Sequence, residues 1–212
     1  MMDAGTLSLF ALAVLALFAS PGPNMAFVMS HGLAHGVRGG FAAALGISAA
    51  DLVHTLCAAT GVTALIAAWP PSFDILRYAG ALYLLWLAWQ ALRPADARGA
   101  ADTQPAGFAR IMRMALLNNL VNPKALLFFM VFLPQFVEPA RGHVTLQLLA
   151  LGAILSVMAL VFNTVLGAFS GQIGRRLQAR PRVAKFQAGF LAFVMAGLAL
   201  RLLLLDRPSK GV

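Results

Sequence analysis

The chain has 212 residues, 60% of them hydrophobic and only 11% charged, with a mean hydropathy of +0.82. Soluble domains carry about 25% charged residues, so the composition excludes an ordinary soluble domain and points to an all-α integral membrane protein. The formal charge of +9 is what the positive-inside rule leaves on a very apolar chain, and nucleic acid is set aside as a partner on that ground.

At about 20 residues per span, the length accommodates six transmembrane helices with short loops and no separate soluble domain. The first span is read over Leu7 to Val28, interrupted by Ser20-Pro21-Gly22-Pro23-Asn24. Two prolines around a glycine do not fit an unbroken helix. Met1 to Leu7 carries Asp3 and no Lys or Arg, unlike the positive start of a signal peptide. A polar loop is expected over Ser30 to Arg38, with His31 and His35 in it. The second span runs from Gly39 to Ala68, with Asp51 near its middle, His54 and Thr55 one turn on, and Trp69-Pro70-Pro71 closing it.

The third span is read over Ile75 to Leu92, bearing Tyr83, Trp86 and Trp89. The stretch Pro94 to Gly107, rich in Ala, Gly, Pro and Asp, reads as a flexible linker. The fourth span covers Ile111 to Phe136 and contains Asn118-Asn119-Leu120-Val121-Asn122-Pro123-Lys124. Proline breaks the helical ladder, and a lysine near the bilayer centre costs roughly 2.5–3.5 kcal/mol on insertion scales. A turn at Pro134 to Gly142 leads to a fifth span over Val144 to Phe169, with Asn163 its main buried polar residue. A basic loop holding Arg175, Arg176, Arg180, Arg182 and Lys185 precedes a sixth span over Phe186 to Leu205.

The linker divides one transmembrane domain, 1–212, into repeat one at 1–93 and repeat two at 108–212, with 94–107 between them. Three spans per half insert the halves in opposite orientations, and each half opens with a proline-broken span (spans one and four). Interrupted helices at matching places in two inverted halves point to a transporter's central site. The plain alternative is that two membrane helices merely carry prolines. Of the 16 basic residues, ten fall in loops after the odd spans and four in even loops or tails, with Lys124 and Arg201 inside spans. That bias puts the odd loops in the cytoplasm and both termini outside.

The candidate site follows from these breaks. Helices restarted at Pro21 or Pro23 and at Pro123 present N–H groups without intrahelical partners, which attract anions such as a carboxylate. Asn24, Asn118, Asn119 and Asn122 either contact a substrate or cap the broken backbone. Asp51 is the one acidic residue deep inside a span, and intramembrane ionisable groups are functional candidates. It can bind an ammonium, carry a coupling proton or do both in turn; the alternative is an ion pair with Lys124 that ties the halves together. Lys124 meets a substrate carboxylate, pairs with Asp51 or snorkels to the interface. His54 is either a proton relay or a hydrogen-bonded packing residue, and Asn163 either substrate contact or interhelical glue. The small residues around Asp51, from Ala42 to Ala50, indicate close helix packing.

Ser20-Pro-Gly-Pro-Asn24, the Gly46…Asp51 pattern and Asn122-Pro-Lys124 leading into Leu-Leu-Phe-Phe resemble the LysE/RhtB family of amino-acid exporters, over essentially the whole chain. The resemblance implies a multi-pass exporter in the bacterial inner membrane, acting on amino acids of the lysine or homoserine/threonine type and driven by the proton gradient. It carries over the two broken segments (Pro21, Gly22, Pro23, Asn24 and Asn122, Pro123, Lys124) and Asp51. Nothing favours a dibasic substrate, because an α-ammonium already occupies the one deep acid; a neutral, homoserine-, threonine- or leucine-like substrate is expected. The expected partners are that amino acid, protons and the lipid bilayer, and the sequence is compatible with a homo-oligomer. No cofactor, resident metal or enzymatic activity is expected: a redox enzyme wants paired cysteines and the chain has only Cys57, and no protease or nucleotide motif occurs. The competing reading is a metal-ion or other small-solute exporter, for which one deep Asp with one nearby His is a thin ligand set.

Overall fold

The computed structural model describes residues 3–19, 22–69, 72–93, 106–170 and 181–204. Asp3 starts helix α1 (Ala4–Phe18), its side chain accepting from the Thr6 amide at 2.8 Å and the Thr6 hydroxyl at 3.0 Å. Those two bonds, the amide's first, hold its carboxyl below the usual aspartate range. Helix α1 ends at Phe18 and α2 begins at Pro23, so the expected break in the first apolar run is present; Ser20 and Pro21 lie outside the described residues.

Beyond the break the chain departs from expectation. Helix α2 runs from Pro23 to Ala68, and the segment 30–38, expected as a polar loop, is helical. Its polar residues satisfy themselves locally. The His31 ring, 1% exposed, bonds the Phe27 carbonyl through Nδ1 at 3.0 Å and is stacked between Phe27 and His35. The one non-helical residue is Gly36, at φ 65° and ψ −160°, a conformation that favours glycine.

Helix α2 is the spine against which the others are laid. It packs chiefly on α6 (Val144–Ala168) and α4 (Phe108–Leu120), while α3 (Ser72–Leu92) packs on α7 (Pro181–Leu204). Small residues bring the backbones close, as in membrane helix pairs. A Cβ on Gly40 would lie 2.7 Å from the Gly167 Cα, one on Gly46 would collide with the Met112 carbonyl, and one on Gly152 with Thr55. Helix α7 starts before the expected Phe186, so Arg182 and Lys185 belong to a helix rather than a loop; Arg175, Arg176, Arg180 and residues 94–105 of the linker lie outside the described residues.

The second break falls where Asn-Pro-Lys places it. Helix α4 stops at Leu120, α5 (Pro123–Leu127) restarts after Asn122, and the chain continues through a π-helical turn (Phe128–Phe132) and a 3-10 turn (Leu133–Phe136). The axes on either side differ by 59°. Phe128, Phe132, Phe136 and Phe10 stack in sequence, with successive ring centroids 4.3, 4.9 and 5.1 Å apart, and fix the restarted segment against α1. Among the described residues two helical stretches, Pro23–Gly61 and Val144–Ala168, are long and apolar enough to cross a membrane, and a third if the bent pair counts as one span. Leu82, Trp86, Phe186 and Phe193 present their side chains outward, as a lipid-facing surface does. The Arg93 guanidinium lies 3.5 Å over the Trp89 ring, a pairing suited to an interfacial anchor.

The close approach at Gly46 is testable. Gly46→Ala is expected to lower thermal stability in detergent by roughly 1–3 kcal/mol, because backbone must move to admit the methyl group. Gly61→Ala, which has open space around it inside the same helix, is expected to leave the unfolding midpoint no lower than the parent's, because Ala is the better helix former.

Candidate functional site

A proline forces its predecessor into extended backbone, and Asn122 obeys at φ −75° and ψ 110°. The same residue then caps the helix it precedes. Its Oδ1 accepts from the Lys124 amide at 3.0 Å, taking up a donor that the break would otherwise leave bare. From α3, the Tyr83 hydroxyl donates to the Lys124 carbonyl at 2.8 Å. Tyr83 was visible in the sequence only as one aromatic of a span; nothing local to it signals this contact.

The two breaks meet. Asn24, in the first turn of α2, donates from Nδ2 to Asn119 Oδ1 at 2.8 Å. Its own Oδ1 receives two longer contacts, 3.4 Å each, from Asn118 and Asn122. Asn119, fully buried, uses both amide protons: one bond goes to Asp51 Oδ1 at 2.8 Å and one to the Ile47 carbonyl at 3.0 Å. Its main-chain carbonyl accepts from His54 Nε2 at 3.2 Å. That bond fixes Nε2 as the protonated nitrogen, since a carbonyl can only accept. His54 is buried and its ring stacks on Phe129 at 5.4 Å, which is the geometry of a hydrogen-bonded packing residue.

Beside this network lies a cavity of about 80 Å³, several times the roughly 10–15 Å³ that a single water needs on the same measure. Gly22, Pro23, Asn24, Asp51, Asn119, Asn122, Lys124 and Asn163 line it. Of the sequence-derived candidates, His54 and Asn118 belong to the network around it and not to its wall, Pro123 opens α5 next to it, and Pro21 lies outside the described residues. The remaining wall is apolar: Leu17, Phe18, Met25, Ile47, Ala125, Phe128, Phe129 and Leu155. Sequence reasoning did not single these out, because an apolar residue at a cavity looks like any other apolar residue in a span.

Two details bear on chemistry. Asp51 is 4% exposed, and among the described residues its carboxylate is bonded to Asn119, with no ion pair to Lys124. The Asn119 amide takes up one oxygen of the Asp51 carboxylate at 2.8 Å. Asp51 and Lys124 face one cavity, so opposite charges can be offered to one guest. Among the described residues no three His, Cys, Asp or Glu side chains come together as a metal-binding group.

The model of the family described as "LysE type translocator" matches residues 15–206. The chain belongs to the LysE type translocator family. It is therefore a multi-pass membrane transport protein. Among similar proteins, one named "Leucine efflux protein" from Enterobacter sp. (strain 638) is 35% identical over 187 residues, covering 86% of this chain and 87% of the relative. A leucine efflux protein from Klebsiella pneumoniae is 34% identical over 186 residues, with the same coverage of 86% and 87%. An uncharacterized membrane protein of Pseudomonas aeruginosa is 33% identical over 200 residues, covering 91% and 92%. No solved structure matches the chain.

The network ranks its asparagines. Asn119→Ala strands a buried carboxylate and the Asn24 amide together, and is expected to cost at least about 2 kcal/mol of stability. Asn118→Ala removes one long contact and is expected to stay within about 0.5 kcal/mol of the parent. Thermal unfolding of both variants in detergent checks the ranking; equal effects would contradict it.

Proposed function

We propose that this protein exports small neutral amino acids with apolar side chains, leucine among them, across the bacterial inner membrane in exchange for protons. The observation that carries the reading is the cavity where both broken helices end, with Asp51 and Lys124 on its wall and apolar side chains over the rest. A zwitterion needs one group of each sign within a few ångströms, and a branched aliphatic side chain needs a dry surface. Burying such a side chain is worth roughly 1.5–3 kcal/mol, enough to favour leucine over alanine by about ten- to a hundredfold. The leucine efflux proteins among the relatives support the same choice.

Asp51 has the central role. One carboxylate that takes either a proton or an ammonium makes the two mutually exclusive, which is what antiport requires. Lys124 supplies the positive charge that meets the substrate carboxylate. The two halves, read as inverted three-helix repeats with both termini in the periplasm, alternate access to this site. A metal-ion exporter wants several oxygen, nitrogen or sulfur ligands, and the cavity offers one carboxylate in a largely apolar wall.

In proteoliposomes loaded with leucine and given a pH gradient, the protein is expected to drive efflux against a leucine gradient. Asp51→Asn is expected to abolish the gradient-driven component while the protein remains folded. Lys124→Met is expected to raise the half-saturating leucine concentration by roughly ten- to a hundredfold, the value of a charge-assisted bond. Gradient-driven efflux that survives in both variants would remove these assignments.

A further inference from the structure

The polar side chains of the cavity divide into those already engaged and one that is not. Asn24, Asn119 and Asp51 bond one another, and Asn122 contacts Asn24 and caps Lys124. Asn163, from α6, lines the same cavity and is 6% exposed, yet among the described residues no hydrogen bond engages its amide. The buried side-chain polar atoms without a partner among the described residues are His35 Nδ1 and Thr164 Oγ1, so the Asn163 amide is open to the cavity it lines and is within reach of a guest there.

Its position is fixed by packing rather than by polar contacts. One turn further along α6, Gly167 meets Gly40 and Val28 of α2 at distances that leave no room for a side chain. The preceding Phe162 ring lies 5.5 Å from Phe18, itself part of the cavity wall. These contacts fix the stretch of α6 that brings Asn163 to the wall it shares with Asn24, Asn119 and Asp51.

We infer that Asn163 is a substrate-binding residue that reads the amino-acid backbone, its Nδ2 donating to the substrate carboxylate and its Oδ1 accepting from the ammonium. The match is chemical. An amide carries a donor and an acceptor side by side, and an α-amino acid presents an acceptor and a donor side by side. The other cavity asparagines have committed both functions to the junction between the broken helices, so they set the shape of the site and Asn163 selects what enters it. This inference rests on the amino-acid reading above and adds the group that distinguishes a zwitterion from a plain amine or acid of the same shape.

The test is binding and transport by purified protein with three probes: leucine, its decarboxylated analogue 3-methylbutylamine and its deaminated analogue 4-methylpentanoate. Wild type is expected to bind leucine at least tenfold better than either analogue. Asn163→Ala is expected to raise the half-saturating leucine concentration by roughly ten- to a hundredfold and to flatten that discrimination, with the ligand-free unfolding midpoint unchanged. Asn163→Asp keeps the acceptor and repels a carboxylate, and is expected to shift preference toward the amine. Thr164→Val, next along α6 and away from the cavity wall, is expected to behave as wild type. Unchanged leucine affinity in both Asn163 variants overturns the inference while leaving the amino-acid reading intact. A ligand-free midpoint that falls as far as affinity does assigns Asn163 to structure and also overturns it. Failure of wild type to bind or move leucine or any other amino acid overturns the underlying reading first.

Discussion

The structure depends on one buried amide. Within a membrane there is no water to accept the N–H and C=O groups that a broken helix exposes, so each break must be closed by protein. Asn119 closes both. From the end of α4 it accepts from Asn24 at the start of α2 and donates to Asp51 and Ile47 in the body of α2. The chain is thus free to stop two helices at one place, and a cavity exists there because both helices stop.

The glycine contacts of α2 serve the same end. Gly46 against Met112 and Ala115 sets the separation of α2 and α4, and Gly40 against Gly167 sets that of α2 and α6. With these backbones at near contact, a short side chain such as Asn119 reaches across. A larger residue at Gly46 would open the seam and break the junction without touching any polar group. The junction itself is a handful of neutral and singly charged hydrogen bonds, each worth about 1–3 kcal/mol. Bonds of that size hold α2 and α4 in register yet remain within reach of a ligand or a proton that competes for Asp51, as the proposed exchange requires.

Much of this was legible in the chain. Proline writes its position plainly: Asn122-Pro-Lys and Gly22-Pro23 mark the two breaks because an imino nitrogen cannot continue a helix. Asp51 stood out because a charge in an apolar run demands a reason. The segment 30–38 was misread because two histidines and an arginine among glycines resemble a loop, whereas ring stacking through Phe27, His31 and His35 satisfies them within a helix. The amide that Asp51 bonds was not legible either. Residues 68 positions apart are paired by packing, and a sequence does not show which of four asparagines the fold brings within 2.8 Å. Tyr83 and the apolar wall of the cavity were hidden for the same reason.

The central claim is that one amino-acid site lies between the two broken helices and is built from both. Single cysteines at Met25 of α2 and Ala125 of α5, two wall residues from opposite breaks, in protein whose exposed Cys57 has been replaced, test it most directly. The measurement is the rate of modification by a small thiol reagent with and without the transported amino acid. The account predicts that the amino acid slows both reactions, with the same half-protecting concentration at each position. Two reactive cysteines that the amino acid leaves unprotected, in protein that still transports it, would contradict the account.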